Sequence, residues 1–308
     1  MANAPVTTRV DGPIEPVRPD DLRPEGKGLA GRIADVASHG PLYVILVLIG
    51  IFWMLPAIGL LVASLRTAAA NADSGWWTAL GNPSQLTLDN YQSLLANPVI
   101  QRAFINTVLI TVPATLLVLF FAAMAGYAFA WIRFPGRDVL FLVVIGLLVV
   151  PLQLGLIPIA RLYNQLGIFG SIVGVVLFHV GFGLPFAIFL LRNFFAGIPR
   201  ELMEAARMDG ASEWRLFFRV VLPLGIPALA ALAVYQFLWT WNDLLVGLVF
   251  ANSNSQPITV AIREQTRQFG ANIDIISSGA FLSMVIPLIV FFAFQRYFVR
   301  GLLAGSGK

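Results

Sequence analysis

Residues 42–64 read Leu-Tyr-Val-Ile-Leu-Val-Leu-Ile-Gly-Ile-Phe-Trp-Met-Leu-Pro-Ala-Ile-Gly-Leu-Leu-Val-Ala-Ser. No charged side chain interrupts them, and their length matches the about 20 apolar residues that a helix needs to cross a bilayer. Five further predominantly apolar stretches follow, at about 104–132, 139–159, 172–191, 224–250 and 275–298. All are continuously apolar rather than alternating. They therefore read as helices, not as strands of a closed barrel, the two forms that satisfy the backbone in lipid. The whole chain agrees: of 308 residues, 58% are hydrophobic and only 12% charged, where a soluble domain carries about 25% charge. Too little charge remains to cover a water-facing surface. The expectation is an all-α integral membrane protein with six transmembrane helices, and a soluble globular enzyme is excluded.

What the chain lacks narrows its chemistry. It has no cysteine, so disulfides, thiolate metal sites and cysteine nucleophiles are out. Its two histidines, His39 and His179, cannot build a histidine-rich metal site. No nucleophile–base pair stands out, and nothing supports nucleic-acid binding. The C-terminal Gly305-Ser306-Gly307-Lys308 looks superficially like a phosphate-binding loop, but the upstream Gly spacing, a following Ser or Thr and a preceding strand are all missing.

Orientation follows from the basic residues. With the N-terminus inside, fifteen of the twenty lysines and arginines fall in cytoplasmic segments, leaving Arg66, Arg102, Arg161, Arg263 and Arg267 outside. That bias places both termini in the cytoplasm. Residues 1–40 read as an N-terminal cytoplasmic extension, partly disordered: 10–27 are rich in Pro, Asp, Glu, Arg and Gly and cannot bury enough apolar surface to order alone. The extension is too long and too acidic for a cleavable signal, and 32–38 could form a short interfacial turn. Residues 41–308 make the transmembrane domain. Trp76, Trp77 and Tyr91, in the outer segment 65–102, suit the membrane interface.

The informative segment is the cytoplasmic one between the fourth and fifth spans. It reads Ile198-Pro199-Arg200-Glu201-Leu202-Met203-Glu204-Ala205-Ala206-Arg207-Met208-Asp209-Gly210, and closes on Val220-Val221-Leu222-Pro223. Pro199 can start a helix, Glu201 and Glu204 sit where the helix dipole favours acid, and Gly210 can take the left-handed conformation that ends one. Ser212 can cap a second helix, in which Trp214, Phe217, Phe218 and Val221 fall at i, i+3, i+4 and i+7, one apolar stripe. The small Ala205-Ala206 surface would allow close approach by another body. Periodicity alone leaves two readings open: an amphipathic linker touching only headgroups, or a docking hairpin.

The pattern Glu204-Ala205-Ala206, Gly210, Val220, Leu222-Pro223 resembles the signature loop of ABC-importer membrane subunits, with Val220 where that family usually has Ile. Leu88-Asp89-Asn90-Tyr91, Asn106-Thr107, Ala125-Gly126-Tyr127-Ala128-Phe129, Arg133-Phe134-Pro135-Gly136, Trp239 and Trp241-Asn242-Asp243 are similar to carbohydrate-uptake permeases of the maltose type, MalG-like subunits in particular. So are Arg296-Tyr297-Phe298 and the glycines from Gly301 to Gly305. The resemblance covers about 42–308 and finds no counterpart for residues 1–40.

It implies a type I ABC-importer permease in the bacterial inner membrane. The implied partners are a second, MalF-like permease, an ATPase dimer below, an extracytoplasmic sugar-binding protein outside, and membrane lipids. ATP and Mg would be bound by the ATPases, and this chain would hold no cofactor and perform no chemistry. The loop at about 199–223 would be the coupling loop, with Glu201, Glu204, Ala205, Ala206, Asp209, Gly210, Leu222 and Pro223 as coupling residues. Glu204 would pair with a basic residue of the ATPase, and Gly210 would let the helix pivot. The outer loop 251–274 is matched in the family by one that reaches into the binding protein and helps dislodge sugar; otherwise it is a solvated connector. The C-terminal tail would approach the ATPase dimer interface. Maltose, trehalose or other α-glucoside oligosaccharides are the implied sugars.

Polar residues in the spans admit two readings each. Gln153, Gln236, Thr240, Asn242 and Asp243 could line a substrate path or gate, or could bridge helices or pair at the interface. His179 reads first as a buried histidine satisfied by a backbone carbonyl. Pro151, Pro158, Pro227 and Pro287 should kink helices, and Gly170 with Gly174 makes one small-residue packing pair. The competing function is an ion-gradient-driven secondary transporter. That class needs inverted repeats or ionisable residues at mid-membrane, and Asp243 is the only acid inside an apolar run.

Overall fold

The computed structural model describes residues 29–269 and 273–306, with side chains over 40–265, at Asp274 and over 276–295. Residues 1–28 of the expected extension, and Gly307-Lys308 at the end of the tail, lie outside the described residues. The chain divides into two compact units, 1–56 and 57–308. Helix α1 (Leu29–Ser64) supplies the described backbone of the first and ends in the second.

After α1 a small folded segment precedes the next span. It comprises α2 (Ala68–Asp73), two 3₁₀ turns, and α3 (Asp89–Ala96). Its hub is Arg66, only 1% exposed. The guanidinium donates to Gln85 Oε1 (2.9 Å), Asn71 Oδ1 (3.2 Å), the Ser74 and Ala70 carbonyls (2.9 and 2.7 Å), Ser74 Oγ (2.7 Å) and Thr78 Oγ1 (3.2 Å). Burying a charge without such partners would be costly. Tyr91 and Trp76 are used internally: the Tyr91 hydroxyl bonds Ser64 Oγ, and the Trp76 indole lies where a Cβ on Gly59 would stand. Trp77 alone of the three expected interface aromatics is largely exposed.

The centre of the fold is α4 (Pro98–Trp131) packed along α7 (Ile172–Ala196). On α4, Ile110, Ala114, Val118 and Ala122 recur every fourth residue and are buried against Val175, Phe178, Ala187, Leu191 and Phe195 of α7. Small residues let the backbones close up: a Cβ on Gly126 would meet the Arg192 nitrogen at 3.0 Å. Gly170, expected to pair with Gly174 on a helix face, instead precedes α7 in a left-handed turn (φ +76°).

Two of the six expected spans are not continuous helices. The third is broken into α5 (Arg137–Leu147) and α6 (Leu152–Gln165), which meet at 100°. The elbow is at Pro151, which sits in extended conformation just before α6. Proline disfavours helical backbone in the residue before it, and 148–150 close instead with short i→i+3 bonds. The fifth is preceded by α8 (Arg200–Met208), α9 (Glu213–Leu216), a π-helical turn at Phe217–Val221 and α10 (Leu222–Leu224). It then bends by 73° at Gly225 into α11 (Ile226–Trp241). A Cβ on Gly225 would lie 2.6 Å from the Phe195 ring, so glycine is what lets this elbow sit on α7. Asn242 and Asp243 interrupt the run again before α12 (Leu245–Phe250). Helix α13 (Ile258–Phe269) and the long α14 (Ile273–Ser306) complete the chain.

Among the described residues four single helices are therefore long and apolar enough to cross a membrane, and up to six if each bent pair makes one span. Prolines alone did not mark the breaks. Pro113, Pro158, Pro185 and Pro287 lie inside helices, and Pro227 falls in the first turn of α11.

Candidate functional site

The hairpin at 199–223 is positioned from three sides. Pro199, extended (ψ 134°), releases the chain from α7, and α8 begins at Arg200 with Glu201 in its first turn. The helix ends in a Schellman motif: the Gly210 amide donates to the Arg207 carbonyl (3.0 Å) and the Ala211 amide to that of Ala206 (3.1 Å). Gly210 carries φ +77°, the left-handed conformation anticipated for it. Ser212 stands at the N-cap of α9 but makes no capping bond with its side chain.

Helix α8 has two faces. Met203 is fully buried, and Ala206 packs on the same core as Leu216 and Phe217. The opposite stripe, Glu201, Glu204, Ala205 and Met208 at i, i+3, i+4 and i+7, is exposed, with Met208 at 88%. The Ala205-Ala206 pair expected to form one small surface is thus divided: Ala205 faces out and Ala206 faces in. Asp209 and Pro223 are exposed, and Leu222 packs partly against the core. The expected apolar stripe of the second helix is also divided. The π-helical turn shifts its register, burying Phe217 and Val221 but leaving Trp214 and Phe218 exposed at 62% and 51%.

Three residues not anticipated from sequence join this hairpin to the membrane body. Glu213 accepts the hydroxyl of Tyr127, a buried residue four positions before the end of α4. It also pairs with Arg207, an exposed residue of α8 one turn from Met203 (Nη2 to Oε1, 3.2 Å). The Tyr127 ring rests on Phe217, centroids 5.3 Å apart. Burial opposes ionisation of Glu213, but the hydrogen bonds from Tyr127 and Arg207 and the charge of Arg207 outweigh it, holding the carboxyl below its ordinary range. A tyrosine near the C-terminal end of an apolar run, and an Arg–Glu pair straddling the Gly210 turn, were the available sequence clues.

At the other end of span five the polar residues form a junction. Asp243 Oδ2 accepts the amides of Val246 (2.9 Å) and Gly247 (3.2 Å), capping α12, and the Asp243 carbonyl accepts the Thr259 hydroxyl (2.6 Å). His179 does not find the expected backbone carbonyl. Its Nε2 lies 3.8 Å from Asp243 Oδ2, and its buried Nδ1 has no partner among the described residues. Gln236 and Thr240 are buried and bonded to each other (3.2 Å), with the Gln236 amide where a Cβ on Gly183 would stand. Asn242 is exposed and turns back to the Leu238 carbonyl (2.9 Å), and Gln153 is exposed in the first turn of α6.

The segment 251–274, expected to lie outside, is bonded to the helical body. Asn106 donates to the carbonyls of Asn254 (2.8 Å) and Gln256 (3.1 Å), and Thr107 accepts the Ile258 amide (2.8 Å). Ser255 reaches the Gly170 carbonyl (2.8 Å). These bonds staple 254–258 to α4 and to the turn before α7. Beyond them the segment is helical rather than loop, and α13 exposes Arg263 and Glu264. Among the described residues no group of His, Asp and Glu could hold a metal ion.

A family model described as "Binding-protein-dependent transport system inner membrane component" matches residues 103–303. The chain is 45% identical over 273 residues to the osmoprotective compounds uptake permease protein GgtD of Synechocystis sp., covering 87% of this chain and 92% of that one. It is 49% identical over 255 residues to the alpha-glucoside transport system permease protein AglG of Rhizobium meliloti (80% and 67% covered). It is 34% identical over 230 residues to the trehalose transport system permease protein SugB of Mycobacterium tuberculosis (73% and 84% covered). Its fold matches a chain of a bacterial ABC transporter involved in the import of the polysaccharide alginate. The TM-score is 0.71 at 22% identity, over 85% of this chain and 98% of that one.

Proposed function

The chain belongs to the family of binding-protein-dependent transport system inner membrane components, multi-pass permease subunits of ABC importers; from that premise we propose that it forms half of a sugar-conducting pore, driven through the α8 hairpin. The two pieces of span three and the broken span five count as one crossing each, giving six spans. The arginine bias sets the hairpin and both termini in the cytoplasm. A second, MalF-like permease completes the pore, two ATPase subunits bind ATP and Mg below it, and an extracytoplasmic binding protein delivers the sugar. The relatives' substrates, among them α-glucosides and trehalose, support α-linked glucosyl sugars as the cargo.

One observation carries the reading: the stripe Glu201, Glu204, Ala205 and Met208 is exposed while Met203 locks the same helix to the core. A methionine 88% exposed on a well-anchored helix suits a docking knob, and the neighbouring carboxylates suit a cleft with basic residues. Closure of the ATPases on ATP would draw this stripe inward and rock the spans, which is alternating access by rigid-body motion. Hydrolysis stays with the partners. The permease transmits a coupling free energy between two states. Gln236, Thr240 and Asp243 belong to the packing and capping that shape the outer half of the pore, and Gln153 and Asn242, both exposed, are its candidate sugar contacts.

The test is Glu204→Ala in the complete transporter reconstituted in vesicles. Insertion should be normal, while ATPase association, receptor-stimulated hydrolysis and sugar uptake all fall. Unchanged hydrolysis and uptake would remove the docking role. Uptake that needs an ion gradient rather than ATP would replace the whole reading with a secondary transporter.

A further inference from the structure

We propose that Tyr127, Glu213 and Arg207 form a latch that fixes the setting of α8 against α4, so that displacement of the exposed stripe reaches the spans instead of being lost in rotation of the hairpin. The proposal rests on the docking role argued above. It concerns what happens after docking: how a short helix held outside the membrane moves a long one within it.

Helix α8 has three connections to the body of the protein. The chain itself joins it through Pro199 and through the Gly210 turn. Met203 inserts into the core. Apolar contact of that kind resists pulling apart but is non-directional, so it leaves the helix free to roll about its axis. The third connection is the polar one, and hydrogen bonds are directional.

One carboxylate, Glu213, gathers all three elements. It belongs to α9, it pairs with Arg207 of α8, and it accepts the hydroxyl of Tyr127 of α4. Tyr127 is only 4% exposed, and its ring is held by Phe217 of the π-helical turn. Its hydroxyl therefore has little freedom to search for another acceptor. Arg207 lies on α8 one turn from Met203 and, though exposed, spends its guanidinium on Glu213, so the latch engages none of Glu201, Glu204, Ala205 and Met208. Helix α4 is the right recipient, because it packs along α7 through the centre of the fold. These three are positioning residues: none touches nucleotide or sugar.

The test uses the full chain assembled with its second permease, ATPase pair and receptor in lipid vesicles, measuring sugar transported per ATP hydrolysed. Tyr127→Phe removes one oxygen and keeps the ring. Glu213→Gln keeps the shape and removes the charge. Both should retain wild-type ATPase association and continued hydrolysis while the transport-to-hydrolysis ratio falls about tenfold, the scale of one charge-assisted hydrogen bond. The double variant should be no worse than either single, because both act through one bond. Arg207→Lys should recover most of the ratio that Arg207→Ala loses, which a packing role would not do. If Glu213→Gln fails to assemble, Tyr127→Phe decides alone. Normal ratios in both singles, or additive losses in the double, would overturn the latch and leave the docking role standing. A wild-type assembly without receptor-stimulated hydrolysis would sink the docking role and the latch together.

Discussion

Substitution of Gly210 separates backbone strain from steric contact. The residue holds φ +77°, and a Cβ built on it would meet nothing within 4 Å. An alanine there therefore suffers no clash, only the about 1–2 kcal/mol that an L-residue loses in the left-handed conformation. That is a factor of roughly 5–30 in the population of the closed turn. Asparagine, which tolerates this region, should lose less, and valine, β-branched, should lose most. The direct assay is amide hydrogen exchange at positions 210 and 211, whose N–H groups donate to Arg207 and Ala206. In the chain alone, Gly210→Ala should exchange faster by about the same 5–30-fold, with the order Gly, Asn, Ala, Val. In the full transporter the same order should appear in the transport-to-hydrolysis ratio. Equal protection in Gly and Ala would refute the strain argument. A valine defect confined to the assembled complex would mean that Gly210 exists to admit a partner's surface rather than to turn the chain.

Met203→Ala should destabilise the hairpin by about 2–5 kcal/mol, the range for truncating a fully buried side chain. Protease sensitivity within 199–223 should rise while the exposed stripe keeps its composition; unchanged sensitivity would deny the anchor. Asp243→Ala should cost about 0.5–2 kcal/mol as a lost helix cap, and Asp243→Asn, which keeps an acceptor, clearly less; exchange at the Val246 and Gly247 amides reads the difference, and equal effects would put the carboxylate's charge, not its cap, in control. For pH, the Glu213 carboxyl titrates lower in the folded chain than in the unfolded one, so its stabilisation is complete above the ordinary value of about 4.3 and is lost as pH falls through the lower folded value. Trp214 fluorescence should be flat from neutrality down to about pH 5 and change below about pH 4; a transition nearer neutrality would place the titration on another group.

Hydropathy made the spans legible because crossing lipid demands an unbroken apolar run whatever the backbone does inside it. For the same reason it was blind to the elbows. Residues 148–151 and 225 sit in apolar stretches, and whether Pro151 breaks a helix while Pro158 does not is decided by what each packs against. Gly210 was readable because a left-handed turn leaves a residue-type signature. The π-helical turn leaves none, so the spacing of Trp214, Phe217, Phe218 and Val221 reads as one face while the chain divides it between two. Tyr127 and Glu213 are 86 residues apart, a pairing that no local periodicity encodes. His179 and Asp243 face each other for a similar reason, being brought together only when α7 and the end of span five meet.

Arg66 has one more consequence. Every acceptor around its guanidinium is an amide, a hydroxyl or a peptide carbonyl, and the side chain is only 1% exposed. Neutral dipoles offer no counter-charge for salt to screen. The hub of the segment between the first two expected spans therefore holds together without an ion pair that added salt could weaken. A carboxylate partner in the same place would instead have tied the shape of this small folded piece to the ionic strength around it.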